Sequence, residues 1–370
     1  MMFVQRILTE KNQIRYLLFD DDWNVVAPVR EYLKYLDMLG RSLYTLRTYA
    51  WHLKLYFEYL ERNGLTYQSI TEDGQHILLL VNFIGELESA PIGNLLYFHP
   101  RRSAATINQI MNTVLGFYRF LSLNGNLEIP EFTIPDNFRH FASVLSEVYV
   151  YKKGRKSFFR LKEKTNKIQV ISRSQYEQLL EQCHTLRDKL LVMLLYEGGL
   201  RLGEALNLKL EDFCVWENRL TIRQHDDLNP YARVKNKNEG TLDIPPYVLQ
   251  TFCRYLATEY PDSPHGYVFV NLQGENPGAL LQADTVEKLF QRLSKSCGFV
   301  VHPHMLRHSH ATELIEKGDW DILDVKTRLR HKNIQTTLRT YIHLSDEYKK
   351  KQYERFLEKL KEEAHHDSNA

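Results

Sequence analysis

The sequence predicts a mainly α-helical protein with one small β-sheet, divided between two domains. Its 370 residues exceed the roughly 100–200 of a typical domain and suit two. Apolar residues recur at helical spacing through most of the chain, whereas Arg219–Gln224 and Thr241–Ile244 alternate as short strands. A hydrophobic content of 43% and a charged content of 25% are typical of a folded globular protein.

The first half predicts a bundle of helices with short connections. One segment begins with a Ser or Thr cap and ends at Gly64, and another ends at Asn124-Gly125. We therefore expect a helical domain over residues 25–150, after an N-terminal extension over residues 1–24. Charged residues interrupt the apolar stretches of that extension, so it is not a signal peptide. The predicted helices are Val26–Leu39, Ser42–Asn63, Gln75–Leu87 and Ala104–Leu123.

The second half predicts helices around the two strands, which a long polar loop joins. This pattern indicates an α+β domain over residues 169–345. The remaining residues, 346–370, predict a charged amphipathic helix or tail. The helices expected in this half are Ser174–Leu186, Leu190–Glu197, Leu202–Leu208, Val248–Glu259, Asp284–Cys297, Pro303–Lys317 and Asp324–Leu329.

Charge is balanced overall but clustered locally. There are 48 basic and 46 acidic residues, yet eight basic residues and one acidic residue lie between Tyr151 and Val170. This cluster predicts a basic linker over residues 151–168, either a solvated connector or, with Phe158 and Phe159 among its charges, a strap on DNA. The candidate DNA-binding residues are Lys152, Lys153, Arg155, Lys156, Arg160 and Lys162.

The sequence argues against a membrane-spanning protein and against a disulfide-stabilised one. No run of about 18 apolar residues occurs, so no membrane span is expected. The four cysteines form no CxxC pair, which argues against a zinc knuckle or a disulfide scaffold and favours the cytoplasm.

Three short motifs carry side chains suited to phosphate chemistry. The first is Gly199-Leu200-Arg201-Leu202-Gly203-Glu204, at a junction between two helices. In the second, Pro303 fits the first turn of a helix, and His304 and Arg307 share one face of it. The third is Leu329-Arg330-His331, followed ten residues later by Tyr341.

In this order and spacing, the motifs resemble those of the tyrosine recombinases, the phage integrase family. The resemblance covers about Ile168–His343, and the loop His225–Asn238 is most similar to the transposon-encoded branch. It implies a helical SAM-like core-binding domain followed by the family's α+β catalytic domain. It also implies a cytoplasmic site-specific recombinase that cuts and rejoins double-stranded DNA through a 3′-phosphotyrosyl intermediate, without ATP, metal or other cofactor. Four protomers on two DNA sites, with possible accessory proteins, would carry out the exchange.

The resemblance also assigns roles to individual residues. Tyr341 would be the nucleophile, with Tyr348 and Tyr353 as nearby competitors. Arg201 and Arg307 would hold the phosphate, since each guanidinium presents a planar fork to its oxygens.

Four more residues would support these three. His304 would accept the nucleophile's proton or bind the phosphate, and His331 would bind the phosphate. Glu204 would orient Arg201. The general acid is a lysine of the loop, with Lys235 preferred over Lys237 because the upstream match is longer.

The sequence departs from the family pattern at two positions. Arg330 stands where glycine is usual, which requires a backbone conformation that tolerates a side chain and places a cation that could contact phosphate. Gly203 stands where serine or a similar residue is frequent. Neither change removes a catalytic functional group.

Three other functions compete with recombination, and the tail also has two interpretations. One alternative is a metal site at His302, His304, His308 and His310, although no HExxH pattern and no carboxylate accompany them. Another is a type IB topoisomerase, and the third is a DNA-binding protein of the same fold that does not cut. The tail is either a protomer-to-protomer helix or a solvated cap on its own subunit.

Overall fold

The computed structural model describes two units, Met1–Thr165 and Asn166–Ala370. Its helices and small antiparallel sheets confirm the predicted mainly α fold. In the part of the chain described, no helix is both long and apolar enough to cross a membrane. The described residues are 1–10, 13–71, 75–89, 102–125, 127, 159–163, 169–225, 239–261, 263–274, 276–318, 320–330, 350, 353–354 and 357.

The first unit begins with a β-hairpin that the sequence analysis did not predict. Strand β1 (Phe3–Leu8) pairs antiparallel with β2 (Ile14–Phe19), and the rings of Phe3 and Phe19 stack with centroids 5.5 Å apart. The sequence analysis placed these residues in the N-terminal extension and predicted no strand there. The connection lacks the Asn-Gly or Asp-Gly pair that usually reveals a hairpin.

Among the described residues, four α-helices follow in the first unit, close to their predicted positions. Two of them begin at a serine cap: Ser42 accepts a hydrogen bond from the Thr45 amide at 3.1 Å, and Ser103 accepts one from the Thr106 amide at 3.2 Å. The core between them is rich in aromatic rings, including the fully buried Tyr56 and Tyr118, whose hydroxyls are 2.6 Å apart. The helices are α1 (Ala27–Met38), α2 (Leu43–Arg62), α3 (Gln75–Ser89) and α4 (Ala104–Leu123).

A short piece of the predicted basic linker is fixed against α4. Leu161 is buried, and its main-chain amide and carbonyl both bond to the Asn108 side chain, at 2.8 and 3.0 Å. Phe159 is buried as well, so its ring is not available to a DNA strap, whereas Arg160 and Lys162 are exposed. The other basic candidates, Lys152, Lys153, Arg155 and Lys156, lie outside the described residues.

The second unit is organised around a buried helix, α6 (Leu186–Glu197), which follows α5 (Arg173–Glu181). The predicted break between these two helices was misplaced. Thr185 caps α6 by accepting from the Asp188 amide at 3.1 Å, so Leu186 begins the second helix instead of ending the first. Every residue of α6 from Leu190 to Tyr196 is buried, which obscures its helical periodicity in the sequence.

A three-stranded antiparallel sheet and the remaining helices complete this unit. The sheet order is β3 (Phe213–Cys214), β4 (Arg219–Ile222), β5 (Gly240–Asp243), and only β3 was not predicted. Leu220 pairs with Leu242, and both face the core. The helices are α7 (Leu202–Leu206), α8 (Pro246–Thr258), α9 (Ala283–Cys297), α10 (Pro303–Glu316) and α11 (Ile322–Arg328).

Candidate active site

Arg201 and Glu204 form a tight unit at the start of α7. The Glu204 carboxylate accepts two hydrogen bonds from Arg201, one from its backbone amide at 2.9 Å and one from Nη1 at 2.5 Å. Glu204 is only 1% exposed, whereas the Arg201 side chain is 24% exposed. The arginine is therefore held from its buried side and can still reach a ligand.

The turn before Arg201 requires glycine. Gly199 has a φ of +56°, and a Cβ there would lie 2.6 Å from Cδ2 of His310 and 2.7 Å from Cδ2 of Leu329. Its carbonyl oxygen accepts a hydrogen bond from Nη1 of Arg307 at 2.5 Å. The close approach of α10 to this turn brings the second arginine to the first.

Arg307 lies in the interior, only 1% exposed. Its Nη2 donates to the carbonyl of Leu329, and its Nη1 lies 3.5 Å from Oε2 of Glu204. Its buried Nε has no hydrogen-bond partner among the described residues. Burial, together with the neighbouring Arg201, lowers the pKa of Arg307 well below its usual value.

The histidines of α10 occupy different environments. His302 caps the helix, its Nδ1 accepting from the Met305 amide at 3.3 Å, while the exposed His304 lies one turn before Arg307. Desolvation lowers the pKa of His308 to about 4 and that of the buried His310 to about 3. These two are therefore neutral packing groups at pH 7, and His304 is the histidine of this helix that faces solvent beside Arg307.

Arg330 is a site residue whose contacts the sequence did not predict. Its Nη2 donates to Oε2 of Glu204 at 2.7 Å, and its carbonyl accepts from Nη2 of Arg201 at 3.4 Å. Glu204 is thus shared by three arginines. Burial alone would raise the pKa of this carboxyl, but Arg330, Arg307 and Arg201 together lower it. The sequence feature that could have indicated a role for Arg330 is an arginine at the position where the family usually has glycine.

A second buried carboxylate, that of Asp212, holds the residues that come just before the polar loop. Asp212 is buried and accepts from Nε of Arg223 at 2.7 Å, while Nε2 of His225 lies 2.6 Å from its other oxygen. Among the described residues, one group of three side chains could supply ligands to a metal ion, with the ligand atoms all within 4.8 Å of one another. The group consists of Glu211, Asp212 and His225. The contacts with Arg223 and His225 occupy both Asp212 oxygens, so this carboxylate acts as an anchor, which sequence reasoning missed.

The structure brings together Arg201, Glu204 and Arg307 as the motifs predicted, and it adds Arg330 to them. His304 shares α10 with Arg307. Four predicted residues lie outside the described part of the chain: Lys235, its alternative Lys237, His331 and Tyr341. Their places in the site stay predictions.

Sequence comparison identifies relatives along nearly the whole chain. A family model described as "Phage integrase family" matches residues 169–348. Transposase A from transposon Tn554 of Staphylococcus aureus is 36% identical, over 97% of this chain and 99% of that protein. Tyrosine recombinase XerA of Pyrococcus furiosus is 27% identical, over 88% of this chain and 93% of its own length.

Solved structures share the fold. The Tn1549 transposon integrase in complex with transposon right end DNA superposes with a TM-score of 0.59 at 17% identity, covering 89% of this chain and 98% of that one. XerH site-specific recombinase bound to its difH substrate gives a TM-score of 0.55 at 19% identity, covering 84% and 79%. The near full-length match to the Tn554 transposase, together with the family model, shows that this chain belongs to the phage integrase family of tyrosine recombinases and is a site-specific DNA recombinase.

Proposed function

We propose that Tyr341 cuts one strand of double-stranded DNA while Arg201 and Arg307 hold the scissile phosphate. The tyrosine oxygen attacks phosphorus as its proton passes to His304 or to solvent, and the bond to the 5′-oxygen breaks as a lysine protonates that oxygen. The resulting 3′-phosphotyrosyl bond keeps the energy needed for religation. The observation that carries this proposal is the convergence of two guanidiniums on one buried carboxylate, at 2.5 and 3.5 Å. Fixed cations of this kind stabilise charge that develops on the nonbridging oxygens.

The two arginines retain donors for a phosphate. Arg201 contacts Glu204 and the Arg330 carbonyl through its two Nη atoms, which leaves further N–H groups on a partly exposed side chain. Arg307 has an Nε without a partner among the described residues. Because Arg307 is almost fully buried, we infer that DNA displaces the side chains covering it before the phosphate reaches this nitrogen.

His304 and His331 would complete the phosphate site, and a lysine would protonate the leaving 5′-oxygen. The exposed His304 lies one turn from Arg307 on α10, within reach of the same ligand. Lys235 remains the preferred acid and Lys237 its alternative. Asp212 anchors His225 just before the segment that carries both lysines, which suits a general acid from this segment and favours neither lysine over the other.

Domain roles and assembly extend the same proposal. Residues 25–150 would be the core-binding domain, 151–168 a basic linker and 169–345 the catalytic domain. Arg160 and Lys162 are exposed next to anchored neighbours, which suits contacts with DNA phosphates. Strand exchange needs four active sites, so we propose a tetramer on two DNA duplexes, in the cytoplasm, with the tail over residues 346–370 joining protomers and accessory recombination proteins as possible partners.

A nicked duplex carrying the ends of the mobile element that encodes the chain would trap the cleaved strand. We expect a covalent protein–DNA band on a denaturing gel from the wild type and from Tyr353→Phe, and none from Tyr341→Phe. Loss of the band in Tyr341→Phe alone supports the assigned nucleophile. A band that persists in Tyr341→Phe would move the nucleophile to another tyrosine, with Tyr348 tested next. A wild type that binds this DNA and forms no band would favour a non-cutting role.

The general acid can be identified with a 5′-bridging phosphorothiolate substrate. Its sulfur leaves without a proton, because a thiol is far more acidic than a hydroxyl. We expect Lys235→Ala to cleave the ordinary substrate slowly and the sulfur substrate at the wild-type rate. Lys237→Ala is the matched control, and the reverse result would assign the acid to Lys237.

A further inference from the structure

Arg330 adopts a backbone conformation that residues with a Cβ normally avoid. Its φ is +53°, in the left-handed region where the Cβ crowds the following carbonyl oxygen. Glycine would have no such conflict. An arginine here is held in place by the contacts of its side chain, which makes those contacts informative about function.

The side chain of Arg330 is turned inward, not towards solvent. The residue is 8% exposed, with Nη2 at 2.7 Å from Oε2 of Glu204 and Nη1 donating to the carbonyl of Arg328 at 3.0 Å. A Cβ on Gly240 would lie 3.6 Å from Cδ of Arg330, so its alkyl chain passes over the start of β5. One side chain thus connects α7, the end of α11 and the sheet.

The main chain around Arg330 contacts both phosphate-binding candidates. Its carbonyl accepts from Nη2 of Arg201 at 3.4 Å, and the carbonyl of Leu329 accepts from Nη2 of Arg307. The turn over 328–330 therefore orients both guanidiniums. The ion pair between Arg330 and Glu204 fastens that turn to the carboxylate that also binds Arg201.

We propose that Arg330 is a positioning residue for strand cleavage, which acts through Glu204 to hold the turn over 328–330, and with it the Arg201 and Arg307 guanidiniums. The inference rests on the proposed roles of these two arginines. With Arg330, the cluster of three arginines and one glutamate has a net charge of +2, and without it the net charge is +1.

The rate of covalent complex formation by the full chain on the nicked duplex tests this inference. Arg330→Gly removes the side chain and gives the backbone the residue that it favours, so folding is retained. We expect cleavage to slow by about tenfold or more, with the Kd for DNA within about threefold of the wild type. Arg330→Lys keeps the charge but not the planar fork, so it should recover part of the rate.

Arg219→Gln is the matched control. Arg219 lies on β4 in the same unit, and its side chain pairs with Glu217 and Asp243, not with Glu204. We expect its cleavage rate to stay within about threefold of the wild type. An equal rate loss in Arg219→Gln and Arg330→Gly would show that the effect does not depend on the contact with Glu204 and would overturn the inference.

A double-mutant cycle with Glu204→Gln asks whether Arg330 acts through the carboxylate. If it does, adding Arg330→Gly to Glu204→Gln slows cleavage by less than about threefold. Full multiplication of the two effects would indicate that Arg330 contacts the phosphate directly. A wild-type rate in Arg330→Gly, while Tyr341→Phe is inactive, would overturn this inference alone. A covalent complex from Tyr341→Phe would instead contradict the proposed nucleophile.

Discussion

The two units bury polar groups in different ways. In the first unit they are neutral: the Tyr56 and Tyr118 hydroxyls bond to each other, and Asn108 bonds to the main chain of Leu161. In the second unit, buried acidic and basic side chains gather around Glu204 and Asp212. All the fully buried Asp, Glu, Lys and Arg residues in the described part of the chain lie in this unit.

The neutral buried groups of the first unit serve folding, whereas the charged buried groups around Glu204 serve the chemistry of the site. Neutral hydrogen-bonded pairs cost little to bury and help to specify packing. Buried ions lose their hydration and need excellent pairing, so a cluster of three arginines on one glutamate is a poor source of stability. It is a suitable preorganised site for a phosphate, because the cations are already in place when negative charge develops.

The strongest test of the comparison is Glu204→Ala. It leaves Arg201, Arg307 and Arg330 close together without their carboxylate, and breaking a buried pair costs about 3–5 kcal/mol. We expect that loss in the free energy of unfolding, measured with urea, together with loss of DNA cleavage. Glu217→Ala is the control, because its ion pair with Arg219 is exposed on both sides and surface ion pairs contribute little to stability. Equal losses would show that burial of the cluster is energetically unimportant.

Two glycines with similar backbone angles sharpen the comparison. Gly199 in the second unit has a φ of +56° and no room for a Cβ, whereas Gly64 in the first has a φ of +66° and nothing within 4 Å of the Cβ position. Gly199→Ala should therefore cost about 2–5 kcal/mol, the sum of backbone strain and overpacking. Gly64→Ala should cost about 1–2 kcal/mol from the backbone alone. Thermal unfolding of both variants measures the difference, and equal costs would contradict the tight packing of the Gly199 turn.

The pH dependence of stability should come largely from buried histidines. The pKa of His310 is lowered to about 3 in the folded chain, below the value near 6.5 of an unfolded histidine. The unfolded state therefore binds a proton first, and stability falls as the pH drops from about 6.5 towards 3. The slope reaches about 1.4 kcal/mol per pH unit for one histidine.

Urea unfolding at pH 7, 6 and 5 checks this sign. We expect His310→Gln to reduce the slope. His52→Gln should remove a similar contribution from the first unit, where desolvation lowers the pKa of His52 to about 4. An unchanged slope in His310→Gln would mean that this histidine binds protons equally in both states.

Local signals predicted most of the fold, and non-local contacts account for what was missed. The helix that follows Ser42 was predicted from its cap and its apolar spacing, and the helix over Ala104–Leu123 from its apolar spacing and the Asn124-Gly125 pair that ends it. The hairpin β1–β2 has no such turn signal, and the buried helix α6 has apolar residues on every face, so its start was misplaced.

The site divides in the same way. Motif order identified Arg201 and Arg307, and spacing indicated that Glu204 contacts Arg201. The bond between Glu204 and Arg330 joins residues 126 positions apart, and no periodicity predicts it. The anchor formed by Asp212 and His225 depends on the pairing of strands, which the sequence indicates only in outline.

The smallest expected effect concerns the neutral pair in the first unit. Tyr118→Phe leaves the buried Tyr56 hydroxyl without that partner and should cost about 1–2 kcal/mol of unfolding free energy. The double variant Tyr56→Phe with Tyr118→Phe should cost less than the two single changes added together, because it leaves neither hydroxyl unsatisfied. DNA cleavage by the double variant should match the wild type at temperatures where both are folded. If the double variant lost as much unfolding free energy and DNA cleavage as Glu204→Ala, the distinction between the two units would be wrong. Buried neutral pairs and buried ions would then matter equally for stability and for activity.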